Sequence, residues 1–302
     1  MHGAQESCIL REASSFCIVI DSAAHSAIFD HGRFMERREF LTSSLAASAV
    51  ALAKQSSAQT PLQAGAGVPR EYYEIRKYHL QTGPQIALTE HYLADALIPA
   101  LNRLGIAPVG AFHLDIGPDT PTLYLLLPSS KLETLATAEL LLAKDEQFMK
   151  AAEPFWNAPA TAPAFQRIES SLLIAFEGWP KLTPPTATAH NGKRIFQLRT
   201  YESPSNQDHV RKVEMFHHGE FEIFQSAGFG QVFYGDTLIG ARMPNLNYML
   251  SFADMNDLNA KWDIFRNDPA WKKLKTSARY AFEEIVSNIS NLILSPATYS
   301  QI

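Results

Sequence analysis

Arginine and tyrosine stand two residues apart twice in this chain, at Arg76/Tyr78 and at Arg199/Tyr201. Each pair lies in a short alternating segment: Tyr73-Glu74-Ile75-Arg76-Lys77-Tyr78 and Phe196-Gln197-Leu198-Arg199-Thr200-Tyr201. A β-strand turns successive side chains to opposite faces, so Glu74 or Gln197 joins its Arg and Tyr in one row. A guanidinium beside a phenol can orient a carboxylate or phenolate. The same groups can also satisfy one another and a nearby carboxylate such as Glu74 or Glu90. The opposite rows, Tyr73, Ile75, Lys77 and Phe196, Leu198, Thr200, are expected to pack on helices. The polar rows would then look into a shared cavity or barrel interior, which makes Arg76, Tyr78, Arg199 and Tyr201 the candidate ligand-binding residues.

A second set lies on the helix expected over 207–227. Val213, Phe216, Ile223, Phe224 and Ala227 form its apolar stripe, and Glu220 falls inside that stripe. His217 precedes Glu220 by one turn. A carboxylate partly buried beside an imidazole can have its pKa moved in either direction, which suits general acid or base work, so His217 and Glu220 are the catalytic candidates. Bonding of Glu220 to a neighbouring Arg or Lys is the structural alternative. Glu214, His217 and His218 have helical metal-ligand spacing. No second Glu-x-x-His segment completes a di-metal site, and a solvated helix face accounts for the trio, so no metal is assigned. A haem-ligand role for His217 or His218 stays open, and the cofactor is unknown. Dinucleotide, phosphate-loop, nucleophile-elbow and zinc-protease patterns are all absent from the sequence.

The elements that must position these residues come in a repeated order. A strand over 72–80 is followed by a helix ending at Gly105, a hairpin over 109–127, two short helices and a strand over 168–176. Pro99 implies a kink in the first helix. The order recurs from residue 194, with Asp268 as helix cap and Pro269 at the first helical position. An offset of 123 carries Arg76 onto Arg199, Tyr78 onto Tyr201 and Gly105 onto Gly228. An offset of 124 carries Tyr124 onto Tyr248. The fold class expected is α+β: two tandem ferredoxin-like βαββαβ domains, each a sheet with helices on one face, covering each other as a pseudo-symmetric dimeric α/β barrel. The expected parts are an extension over 1–34, an export signal over 35–58, a linker over 59–69, a domain over 70–179, a linker over 180–193 and a domain over 194–302.

Composition sets the outer bounds. The 302 residues are 46% hydrophobic and 19% charged, enough for two compact domains. The formal net charge of −5 offers no basic excess for phosphates, so no nucleic-acid partner is expected. Both cysteines, Cys8 and Cys17, precede the expected signal, leaving no thiol chemistry in the body. Met35-Glu36-Arg37-Arg38-Glu39-Phe40-Leu41 matches a twin-arginine export signal, with a weakly apolar run to Ala53. That run is too short and too rich in Ala and Ser to span a bilayer well, so the mature protein is expected to be periplasmic or secreted, without a transmembrane segment.

The segments Tyr72–Tyr78 and Phe196–Tyr201, with Arg167–Leu173, Asn245–Tyr248 and Asp268–Lys273, resemble the NIPSNAP family over residues 70–302. The signal resembles that of bacterial secreted members. The resemblance implies a ferredoxin-like, dimeric α/β-barrel fold, in a superfamily that also holds small monooxygenases and haem-dependent enzymes. It carries no reaction and no catalytic residue set. Three functions follow as expectations: small-ligand binding in the barrel cavity; a cofactor-free or haem-dependent oxidoreductase of monooxygenase type; or a structural or interaction module. A homo-oligomer is left open.

Overall fold

The computed structural model describes residues 68–186 and 193–302. The twin-arginine segment therefore lies outside the described residues. Repeat 1 contains strand β1 (Tyr72–His79), helix α1 (Pro84–His91), a π-helical turn (Tyr92–Leu97) and α2 (Ile98–Arg103). It continues with β2 (Gly110–Ile116), β3 (Thr122–Ser129), α3 (Leu132–Ala136), α4 (Ala138–Leu142), α5 (Glu146–Trp156) and β4 (Arg167–Ala175). Repeat 2 contains β5 (Ile195–Glu202), α6 (Asn206–Met215), a π-helical turn (Phe216–Glu220) and α7 (Phe221–Ser226). It closes with β6 (Gly230–Ile239), β7 (Asn245–Phe252), α8 (Met255–Asn267), α9 (Pro269–Lys275), α10 (Phe282–Ile285) and β8 (Asn288–Pro296). Asp268 caps α9 as expected: its Oδ1 accepts from the backbone N–H of Ala270 at 2.6 Å.

The eight strands close into one antiparallel barrel in the order β1-β3-β2-β8-β5-β7-β6-β4. Two seams join the repeats, β2 with β8 and β4 with β6, each with a register shift. Closure leaves no free sheet edge and gives each repeat's uncovered face the other repeat to pack on.

The centre of the barrel is apolar. Tyr73, Ile75, Phe112, Leu126, Phe196, Leu198, Phe233 and Met249 form one buried cluster. The rings meet across the repeats: Tyr73 and Phe233 have centroids 5.1 Å apart, Phe112 and Phe196 4.9 Å. Each such ring buried contributes about 1.5–3 kcal/mol. The expectation that the polar rows face inward is therefore corrected. Tyr73/Ile75 and Phe196/Leu198 fill the barrel, whereas Tyr78 and Tyr201 belong to the clusters between sheet and helices. The reason is solvation. The centre of a closed barrel is remote from water, so charged groups there would be left without partners. Long polar side chains on the outer face can reach the rims of the helical layer. Towards one mouth the inward rows turn polar: Lys77, His79, Glu169, Thr200, Asn245 and Asn247 line a concavity of about 390 Å³ that reaches Ile75 and Leu198.

Strand register also corrects one equivalence. Arg76 pairs with Leu125 and Arg199 with Tyr248. Tyr248 thus corresponds to Leu125, at the same offset of 123 as the rest, and Tyr124 points into the barrel instead.

Both repeats place a π-helical turn at the same point of their first long helix. In repeat 1 it lies just ahead of Pro99, whose ring and missing N–H disturb the bond to the carbonyl four residues back. In repeat 2 it contains Gly219 at φ 126°, a backbone conformation that side-chain-bearing residues avoid. The helix expected over 207–227 is therefore two helices across a kink.

Candidate functional site

The polar row of β1 is the floor of a cleft under the helices of repeat 1. Arg76 is buried and makes a forked pair with Glu74: Nε donates to Oε1 at 2.7 Å and Nη2 to Oε2 at 3.1 Å. Its Nη1 donates to Glu139 of α4 and lies 3.5 Å from the Tyr78 hydroxyl. Ser170 of β4 donates to Glu74 Oε1 at 2.8 Å. Desolvation works against the charge on Arg76, but Tyr78, Glu74 and Glu139 outweigh it and hold the guanidinium protonated. Burial pushes the Tyr78 phenol up, against the pull of Arg76.

Aromatic rings wall this floor. Tyr92 from the π turn stacks on Phe155 of α5 at 3.8 Å, nearly parallel, and Phe155 stacks on Phe165 at 5.5 Å. Trp156 donates from Nε1 to the Tyr92 hydroxyl at 3.4 Å. These side chains, with Ile168, enclose a cavity of about 420 Å³, within the range of small-molecule sites. The loop ahead of Phe165, Asn157-Ala158-Pro159-Ala160-Thr161-Ala162-Pro163-Ala164, carries no aromatic side chain.

Repeat 2 fills the same place. Gln197 stands for Glu74, and Trp262 of α8 stands for Glu139 at the offset of 123. The Trp262 indole donates to Gln197 Oε1 at 2.8 Å and lies 4.4 Å under the Arg199 guanidinium. Arg199 donates to the Tyr201 hydroxyl at 3.0 Å, which also accepts from Tyr248 at 2.8 Å. Phe282, Tyr280 and Ile285 close over Tyr201 where repeat 1 has its Pro/Ala loop. Burial raises the pKa of Tyr201 and Tyr248, with Arg199 opposing in both.

Behind Tyr201 lies a fully buried ion pair. Lys212 of α6 donates to Glu220 Oε2 at 2.5 Å, and its ammonium sits 4.2 Å from the Phe216 ring. Burial pulls Lys212 down and Glu220 up, and each partner opposes the shift of the other. At the offset of 123 repeat 1 has Thr89 and Leu97. Glu220 Oε1 has no hydrogen-bond partner.

His217 and Glu220 are not brought together. His217 donates from Nδ1 to the Val213 carbonyl at 2.9 Å and accepts at Nε2 from the Gly178 N–H at 3.0 Å. The Nδ1 bond orients the ring on its own helix, and the Nε2 bond ties that helix to the chain after β4. His218 Nδ1 bonds the Glu214 carbonyl, and the Glu214 carboxylate pairs with Arg279. Among the described residues no group of three His, Cys, Asp or Glu is arranged to hold a metal ion.

Sequence reading missed Glu139, Lys212 and the four walls Tyr92, Phe155, Trp156 and Phe165. The offset of 123 pairs Glu139 with Trp262 and Thr89 with Lys212, a contrast in polarity that marks both positions. What it lacks is the packing of helices over strands that brings them to Arg76 and Tyr201.

Fold and site together define a tandem α/β-barrel protein in which one chain supplies both halves of a barrel and one repeat keeps an aromatic cleft. The NIPSNAP family model matches residues 73–177 and again 196–301, and the chain belongs to the NIPSNAP family. Solved structures similar to it include a "putative monooxygenase" from Lactobacillus acidophilus NCFM, 10% identical, TM-score 0.49, covering 75% of this chain and 94% of that one. A NIPSNAP-like domain protein from Burkholderia xenovorans is 19% identical with TM-score 0.32, covering 35% of this chain and 88% of its own. A NIPSNAP family protein of unknown function from Agrobacterium tumefaciens is 19% identical with TM-score 0.32, covering 36% and 92%. A search of curated proteins found no match.

Proposed function

We propose that this NIPSNAP-family protein binds a small, partly apolar molecule in the cleft of repeat 1, with Arg76 and Tyr78 in its floor. The observation that carries this is the cavity itself: about 420 Å³, with hydrogen-bonding groups at the base and stacked rings as walls. Arg199 and Tyr201 occupy the equivalent register in repeat 2, under a filled space, and act there as packing and hydrogen-bonding groups. Ligand-observed NMR with a set of small aromatic fragments tests the site. Fragments should receive saturation from the parent protein and lose it in Ile168→Trp, which fills the cleft from β4. Hits that persist unchanged in the variant, or no hits at all, would remove this reading.

The export reading belongs to the same proposal. The Arg37-Arg38 pair, the apolar run after it and the small residues at Ala51 to Ala58 support delivery of a folded, thiol-free body across the membrane. Among the described residues no helix is long and apolar enough to cross a membrane. Mass determination of the protein recovered from the periplasm, set against the full chain, tests whether the segment is removed there.

A further inference from the structure

Arg76 looks like an anchor for an anion, yet four of its five N–H donors already have partners, the weakest of them the Tyr78 hydroxyl. Glu74 takes Nε and Nη2 with both oxygens, and Glu139 takes Nη1. The groups lining the cleft carry two carboxylates against this one guanidinium, a surplus of one negative charge. The Glu139 side chain is half exposed, which sets its carboxylate at the lip. The walls are an apolar aromatic stack, Phe155 lying with its faces between Tyr92 and Phe165. An entering anion would meet a surplus of like charge with no free cation to receive it. A neutral molecule would gain nothing from that surplus.

We propose that the cleft takes a small organic ammonium ion, its cationic head at the Glu139 carboxylate and its apolar part against the aromatic walls. This rests on the cleft being a ligand site, and it adds the sign of the ligand's charge. The fork between Arg76 and Glu74 then has a positioning role: it fixes the floor and leaves Glu139 as the carboxylate that faces outward.

The test uses three probes of one shape: choline, its uncharged analogue 3,3-dimethylbutan-1-ol, and the anion 3,3-dimethylbutanoate. Titrations of the whole protein, followed by calorimetry at low salt, should rank them in that order, with choline about fivefold tighter than the alcohol. Binding of choline should weaken as salt rises. Glu139→Gln should weaken choline about fivefold and leave the alcohol unchanged, and Ile168→Trp should abolish both. Equal binding of alcohol and choline, or preference for the anion, overturns the inference. If fragments bind in the cleft but choline does not, this inference alone falls; if neither binds, the ligand site falls with it.

Discussion

The two repeats set the same arginine and tyrosine on the same strand and then build opposite things over them. Over β1, Glu74 and Glu139 pair with Arg76, and a cleft stays open beside the stacked rings. Over β5, glutamine and tryptophan replace the two carboxylates, and Phe282 and Tyr280 close the space. Repeat 2 carries instead a buried one-to-one ion pair, Lys212–Glu220, where repeat 1 has Thr89 and Leu97. Duplication thus preserved the scaffold, while one copy kept a vacancy and the other spent its equivalent volume on packing. The contrast teaches that a strand motif alone does not make a site; the residues arriving from the helices above decide.

The comparison is broken most directly at the buried pair. Lys212→Met or Glu220→Leu alone should cost about 3–5 kcal/mol, because each strands a charge away from water. The double variant, which restores the apolar character that Leu97 gives repeat 1, should recover most of that loss in urea unfolding. If the single variants are as stable as the parent, the pair is not what holds this region. Next comes the filled space. Trp262→Ala should cost about 3 kcal/mol and open a cavity beside Arg199, visible as new fragment binding in repeat 2. A smaller effect is expected at the kink: Gly219→Ala should destabilise by about 1–3 kcal/mol through its backbone angle alone, since only Leu274 lies near the added methyl. An unchanged melting midpoint would show that the helix rearranges freely there.

The smallest effect belongs to repeat 1 and sharpens the contrast by pH. Hydrogen bonds from Arg103, then from the Phe148 N–H, hold the Asp145 carboxyl below the usual range. A lowered folded pKa stabilises above the unfolded value and loses that contribution as pH falls through the folded one. The parent should therefore soften below the ordinary aspartate range, and Asp145→Asn should lack that part of the slope. Identical acid profiles for the two proteins would remove the cap from the account.

Much of the architecture was legible in the sequence. Alternation placed Glu74, Arg76 and Tyr78 in one row, and the offset of 123 announced two like units whose bare sheet faces needed each other. The NIPSNAP resemblance agreed with both. Legibility failed where burial on two sides was at stake. In an open sheet the apolar row faces the helices; in a closed barrel both rows are buried, so polarity alone does not tell which is inside. Hence Ile75 and Leu198 fill the barrel although alternation points them at the helices, and separately one residue of register sets Tyr248 against Leu125 instead of Tyr124.

What the sequence determined by itself is the period: which residues share a face, where helices stop at Gly105 and Gly228, and that the chain is written twice. Those follow from backbone geometry and local chemistry, which neighbours along the chain suffice to fix. Only the tertiary structure decided which face is the inside, that Glu139 rather than Glu90 meets Arg76, and that Lys212 meets Glu220. Barrel closure is a property of all eight strands at once, and water is excluded from its centre only when the last of them is in place.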